Sequence, residues 1–176
     1  MRLQYRPYKA AVIIMLLAAI IAPANALPTP DSTAFASDPQ DCAAAEKVKW
    51  SGYEAAVQNA RESNRPALLF FWGEDCRKCE MLEQKGFNRP DIACYINRHF
   101  ALARESGKAR QDLVAQYRVS AYPTVWFLTP EGKEIDFFIG YVKPDRLLLI
   151  LHYVGDGVYK VKSFADYEKE QTEKGK

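Results

Sequence analysis

Histidine and cysteine are scarce in this 176-residue chain, two and four copies respectively, and neither sign of charge dominates, with 24 Lys+Arg against 22 Asp+Glu. The near balance excludes the basic footprint of a nucleic-acid-binding domain and gives no reason to expect an anionic membrane surface as partner. Long apolar runs are lacking as well: the uncharged stretch at residues 10–22 has thirteen residues, short of the ~20 a membrane-spanning helix needs. No internal repeat is present. What the chain does have is a core-forming composition, 48% hydrophobic and 12% aromatic, which excludes collagen-like, low-complexity and fully disordered classes. Its length suits one globular domain and would crowd two.

The first segment reads as an address. Arg2, Arg6 and Lys9 precede the apolar run, no acid occurs there, and Pro23 ends the run just before the small residues Ala24 and Ala26. This predicts a secretory signal peptide over residues 1–26, cleaved after Ala26. Cleavage leaves 24 − 3 = 21 basic against 22 acidic residues, a charge near −1. The first cysteine, Cys42, lies too far past Ala26 to accept a lipid. The mature chain is thus expected in the periplasm or secreted, with no stable membrane insertion, in a space where thiols oxidise unless kept reduced.

Residues 27–47 carry Pro28, Pro30 and Pro39 and read as a flexible arm. A domain is expected over residues 48–154, followed by a C-terminal extension, residues 155–176, with a short helix. Ser51 and Glu54 form a capping-box pattern ahead of Tyr53, Ala56, Val57 and Ala60, the spacing of an amphipathic helix that stops before Arg65-Pro66. The continuous apolar run at residues 67–72 suits a central strand covered on both faces. Helical stretches are predicted at 76–87, 90–97, 109–117, 147–154 and 163–173. Further strands are predicted at 100–103, 124–128 and 135–139, the last two joined as an antiparallel hairpin around Pro130-Glu131-Gly132. The fold class is α/β, a mixed sheet with helices on both faces. Alternation places Trp72, Trp126 and most Phe residues in the core, and Tyr159 and Phe164 suggest that the extension docks.

Cys76-Arg77-Lys78-Cys79 falls where the buried strand gives way to a helix. Two intervening residues bring the sulfurs within bridging reach. A Cys76 at the helix start faces unpaired N–H groups and the positive end of the dipole, which favour thiolate over thiol. Arg77 and Lys78 act in the same direction, Asp75 and Glu74 in the other. Cys79, one turn further in, is the shielded resolving thiol. Two other readings compete. Half a zinc site would need partners from Cys42, Cys94, His99 and His152, none of which forms a second close pair. An inert structural bridge would leave one sulfur exposed at the junction. Metal ligands are therefore not expected. The even cysteine count suggests a Cys42–Cys94 bridge, with a buried Cys94 and an exposed Cys42 as the alternative.

The stretch Phe71-Trp72-Gly73-Glu74-Asp75-Cys76-Arg77-Lys78-Cys79, followed by Ala121-Tyr122-Pro123-Thr124 and by Ile139-Gly140-Tyr141, resembles the thioredoxin fold over residues 48–154. It is most similar to exported thioredoxin-like proteins, including the C-terminal domain of the membrane thiol-reductant transporter and the thioredoxins of sulfur oxidation and cytochrome c maturation. The resemblance implies a cis Pro123 facing the cysteines, with Tyr122, Pro123 and Trp72 binding substrate and Tyr122 facing the cleft. Departures follow. The acid usual six residues before the first cysteine is Phe70. Glu83, four residues after Cys79, becomes the candidate proton relay, as a carboxylate stands there in the transporter's domain, and a solvated helix Glu is the alternative. The usual Trp before the first cysteine is Asp75. Gln84 replaces a helix-kinking Pro, so a straighter helix is expected. Arg104 falls near a family Lys position and reads as a surface Arg on a strand end. The expected activity is exported thiol–disulfide exchange without a cofactor, most simply reduction. Its partners would be disulfide-containing protein substrates and a membrane or periplasmic thiol donor. A disulfide oxidase or isomerase, or a redox-inactive peptide-binding module, are the alternatives.

Overall fold

The apolar run Ala67–Trp72 forms strand β1, whose two edges pair with neighbouring strands and whose two faces are buried under helices. The computed structural model describes residues 47–174. Within them the order is α1 (Tyr53–Ser63), β1, α2 (Arg77–Leu82), α3 (Pro90–His99), β2 (Ala101–Ser106), α4 (Gln111–Gln116), β3 (Thr124–Leu128), β4 (Glu134–Ile139), α5 (Pro144–Gly155) and α6 (Phe164–Lys174). The four-stranded sheet runs β2-β1-β3-β4, with β1 parallel to β2 and antiparallel to β3, and β3 antiparallel to β4. This is the thioredoxin fold. The expected signal segment and nearly all of the expected arm lie outside the described residues. No helix among the described residues is long and apolar enough to cross a membrane.

A two-residue period sorts the strand side chains between two layers. Leu68, Phe70, Leu102, Val125 and Phe127 meet Leu82, Phe87, Ile92, Ile96, Leu147 and Leu151 from the α2, α3 and α5 side. Ala67, Leu69, Phe71, Ala101, Ala103 and Trp126 meet Ala56, Ala60, Leu113 and Tyr117 from α1 and α4. Helices therefore cover both faces. The extension docks on α5: the Tyr153 ring lies 5.3 Å from Phe164 and 5.7 Å from Tyr167, and its hydroxyl donates to the Lys162 carbonyl at 2.9 Å.

Three local expectations need correction. Ser51 does not cap α1: Gly52 is the N-cap residue and supplies no side-chain hydrogen bond. Ser51 instead bridges to Ala103 of β2 and donates its hydroxyl to the Leu102 carbonyl. The Tyr53 N–H is satisfied by Glu105, a carboxylate brought 52 positions through sequence by β2. Sequence-local capping patterns lose here to a tertiary partner. Secondly, α2 is not followed by a straight helical continuation. Residues Glu83–Phe87 form a π-helical turn, and such turns bend helices without any proline. Thirdly, β2 runs to Ser106, beyond the expected 103, because it pairs with the full length of β1.

Cys94 of α3 is buried and disulfide-bonded. Cys42, the partner considered from sequence, lies outside the described residues.

The C-terminal ends of α3 and α5 meet at Tyr95, whose ring lies 4.1 Å from His99 and 4.2 Å from His152 and whose hydroxyl donates to Asp156 at 2.6 Å. Burial holds the His99 pKa below its usual value of 6.5. Burial pushes the Asp156 carboxyl up, but hydrogen bonds from His152 and Tyr95 outweigh it and leave the pKa below the usual 3.8. Both groups bind protons more readily in the unfolded chain, so both contributions to stability fade with acid, first below the ordinary histidine range. The melting temperature is expected to fall from about pH 7.5 to about pH 5.5, and less so in His99→Gln, as differential scanning calorimetry would show. An equal fall in both proteins would contradict this.

Candidate functional site

The site forms where β1 ends and α2 begins. Beyond Trp72 the chain turns through Gly73 and Glu74 to Asp75, which adopts φ 51°, in the left-handed region. Aspartate tolerates that conformation better than a bulky residue does. Cys76 is then the N-cap of α2, and its Sγ accepts the Cys79 N–H at 3.2 Å. The two cysteines are bonded to each other, with Cα atoms 5.2 Å apart. Cys79 is 4% exposed. Cys76 is half-buried. The two cysteines thus differ in environment: Cys76 is the more exposed and its sulfur meets a first-turn N–H of the helix, while Cys79 is sheltered inside the first turn.

A cleft of 390 Å³ opens beside the pair, lined by Trp72, Asp75, Cys76, Cys79, Glu83 and Arg104 among others. Arg77 and Lys78 flank it as exposed side chains of α2 and do not line it. Glu74, just upstream, pairs at 3.0 Å with Lys108 in the loop after β2. Phe70 is fully buried, its ring 5.7 Å from Trp50 and 5.4 Å from Phe87. An aromatic ring thus fills that position beneath Cys79, and the acids that line the cleft are Asp75, Glu80 and Glu83.

Arg104 is not the bystander expected from sequence. Its guanidinium donates to Glu83 Oε1 through Nη2 at 2.9 Å and Nε at 3.1 Å, and lies 4.4 Å from the centre of the Trp72 ring. The signal was the register: a cation on a mostly apolar strand, paired in the sheet with Phe70, points at whatever α2 offers.

The Tyr122–Pro123 peptide bond is cis. The Tyr122 side chain is not among the residues that line this cleft. That ring is half-buried against Gly73 and Gly107: a Cβ at Gly73 would lie 2.6 Å from Tyr122 Cδ2, and one at Gly107 would overlap its hydroxyl. The Gly107 N–H donates to the Trp72 carbonyl at 2.9 Å, so the tyrosine sits over joined loops. Replacing Gly107 by Ala must displace the ring and is expected to cost about 1–3 kcal/mol, read from the urea midpoint. An unshifted midpoint would contradict the packing.

Among the described residues, no group of three or more His, Cys, Asp or Glu side chains is placed to hold a metal ion.

Comparison with known proteins agrees with this geometry. The chain is 25% identical over 104 residues to the Disulfide bond reductase DsbH of Chlamydia pneumoniae, covering 52% of this chain and 63% of the relative. It is 26% identical over 84 residues to the Thiol:disulfide interchange protein DsbD 1 of Pseudomonas aeruginosa, covering 46% of this chain and 14% of the relative. The chain thus spans less than two thirds of either curated relative. The solution structure of a thioredoxin from Thermus thermophilus superposes with a TM-score of 0.57 at 24% identity, over 62% of this chain and 88% of that one. The model of the thioredoxin-like domain matches residues 53–155, a stretch that holds the sheet, the cysteine pair and the Tyr122–Pro123 turn, and the chain therefore belongs to the thioredoxin-like family.

Proposed function

We propose that this protein is an exported thiol–disulfide oxidoreductase working through Cys76 and Cys79, in the reducing direction. The observation that carries the reading is the placement of Cys76 Sγ at the helix start, accepting the Cys79 N–H and bonded to a sulfur that solvent hardly reaches. In the reduced protein the Cys76 thiolate attacks a substrate disulfide, a mixed disulfide forms, and the first substrate sulfur leaves as thiolate. Cys79 loses its proton and attacks the Cys76 sulfur. The Cys76–Cys79 bond closes and the second substrate sulfur departs. Two electrons and two protons pass to substrate, and a thiol donor must restore the dithiol.

The names of the two curated relatives support disulfide exchange with protein substrates and a donor. The leader over residues 1–26 supports export, as part of the organisation expected from sequence: leader, arm to 47, catalytic domain to 154 and docked extension. Pro123 and the Tyr122 backbone supply a surface for an extended substrate segment, with Trp72 at the cleft wall.

Reduction of insulin by dithiothreitol tests the activity: the wild type should accelerate it and Cys76→Ser should not. Equal rates would leave only a binding module. Direction is read from the reduction potential of the pair, expected near the −270 mV end of a family range of about −270 to −120 mV. A value near the upper end would assign an oxidase.

A further inference from the structure

The buried thiol of a dithiol pair has to lose a proton before it can attack, and at Cys79 no acid stands on the strand beneath, since Phe70 fills that place. Of the carboxylates that line the cleft, Asp75 and Glu80 are exposed side chains, whereas Glu83, one helical turn on from Cys79, is partly covered and does not stand alone. Arg104 is, among the described residues, the single basic side chain lining the cleft. Its Nε and Nη2 both donate to the same oxygen, Glu83 Oε1, at 3.1 and 2.9 Å, so neither bond engages Oε2. The guanidinium is itself held, 4.4 Å from the Trp72 ring centre and 5.8 Å from that of Phe70. Both partners are largely covered, with side-chain exposures of 32% for Arg104 and 27% for Glu83. A forked cation resting on two rings of a sheet strand is a rigid platform, whereas a free glutamate side chain rotates among several staggered positions.

We propose that Arg104 is a positioning residue for the resolving step, fixing Glu83 so that Oε2 takes the Cys79 proton. This rests on the reading of Cys76 and Cys79 as an exchanging pair. The proton passes from Cys79 Sγ to Glu83 Oε2, the sulfur's electron pair forms the bond to Cys76, and the Cys76–substrate bond breaks with its electrons leaving on the substrate sulfur. Solvent reprotonates that thiolate. Lysine at position 104 would keep the charge but neither the fork nor the stacking, so it should restore the function only in part.

The reduced protein mixed with 5,5′-dithiobis(2-nitrobenzoate) tests this in stopped flow without a biological substrate. Cys76 attack releases the first thionitrobenzoate, and Cys79 attack on the resulting mixed disulfide releases the second. Arg104→Gln and Glu83→Gln are each expected to slow the second phase about tenfold and leave the first within about twofold. Arg104→Lys should fall between Arg104→Gln and wild type, and the double variant should be no slower than the slower single one. A second phase unchanged in Arg104→Gln, an equal slowing of both phases, or effects that multiply in the double variant would overturn the assignment. Insulin reduction with the same proteins separates the two claims. A wild type that releases both equivalents but does not reduce insulin overturns the protein-substrate reading, while the second-phase rates still decide on Arg104. Release of no second equivalent overturns both.

Discussion

With Cys79 replaced by Ser, the protein is expected to stop after its first half-reaction and remain joined to substrate through Cys76. The reason is positional. Cys79 lies in the first turn of α2 with its sulfur sheltered, bonded to Cys76 in the oxidised state, and serine at that place cannot attack a disulfide. Turnover should fall by about a thousandfold or more, and a covalent adduct should be visible on a non-reducing gel and vanish with dithiothreitol. Cys76→Ser should lose turnover to the same extent but leave no adduct, because Cys79 is shielded from an incoming disulfide. That asymmetry is the informative part. Adducts of equal yield from both variants would mean that the two sulfurs are equally reachable, contrary to the burial seen at position 79.

Returning an acid to position 70 should damage the protein rather than improve it. The Phe70 ring is fully buried among Trp50, Phe87, Leu68 and Val125. Phe70→Asp would remove a large apolar side chain and place an ionisable group in a site shaped for an aromatic ring. Losing such a ring costs about 3–5 kcal/mol, and an ionised carboxyl without a hydrogen-bond partner adds to that. Arg104, 5.8 Å from the Phe70 ring centre, is already engaged with Glu83. Urea unfolding should show Phe70→Asp less stable than Phe70→Ala at neutral pH, with the gap narrowing in acid as the carboxyl takes up its proton. Wild-type stability in Phe70→Asp would mean that the aromatic layer is not what holds α2 to the sheet.

The strands and the cysteine pair were legible in the sequence because each rests on a local pattern. A continuous apolar run of strand length suits a strand covered on both faces, and β1 forms over residues 67–72 as expected. The hairpin of β3 and β4 follows from two apolar runs around Pro130-Glu131-Gly132 in the same way. What could not be read locally is what distant residues do to each other. The Ser51–Glu54 pattern predicts a cap, yet Glu105 supplies the acceptor from another strand. The π-helical turn at Glu83–Phe87 arises without proline, where the Gly86 backbone comes close to Leu147 of α5. Arg104 reads as a surface cation until the register between β1 and β2 aims it at Glu83. The same holds for Tyr122, whose ring finds its place only because Gly73 and Gly107, far apart in sequence, leave room for it.

The most direct test is the pH dependence of alkylation. Iodoacetamide added to the freshly reduced protein, with each modified site located by mass spectrometry, reports which sulfur is reachable and at what pH it ionises. Modification should fall on Cys76 with an apparent pKa below the ordinary thiol value of about 8.5, while Cys79 reacts far more slowly. A faster reaction at Cys79, or ionisation of Cys76 at or above that ordinary value, would contradict the account.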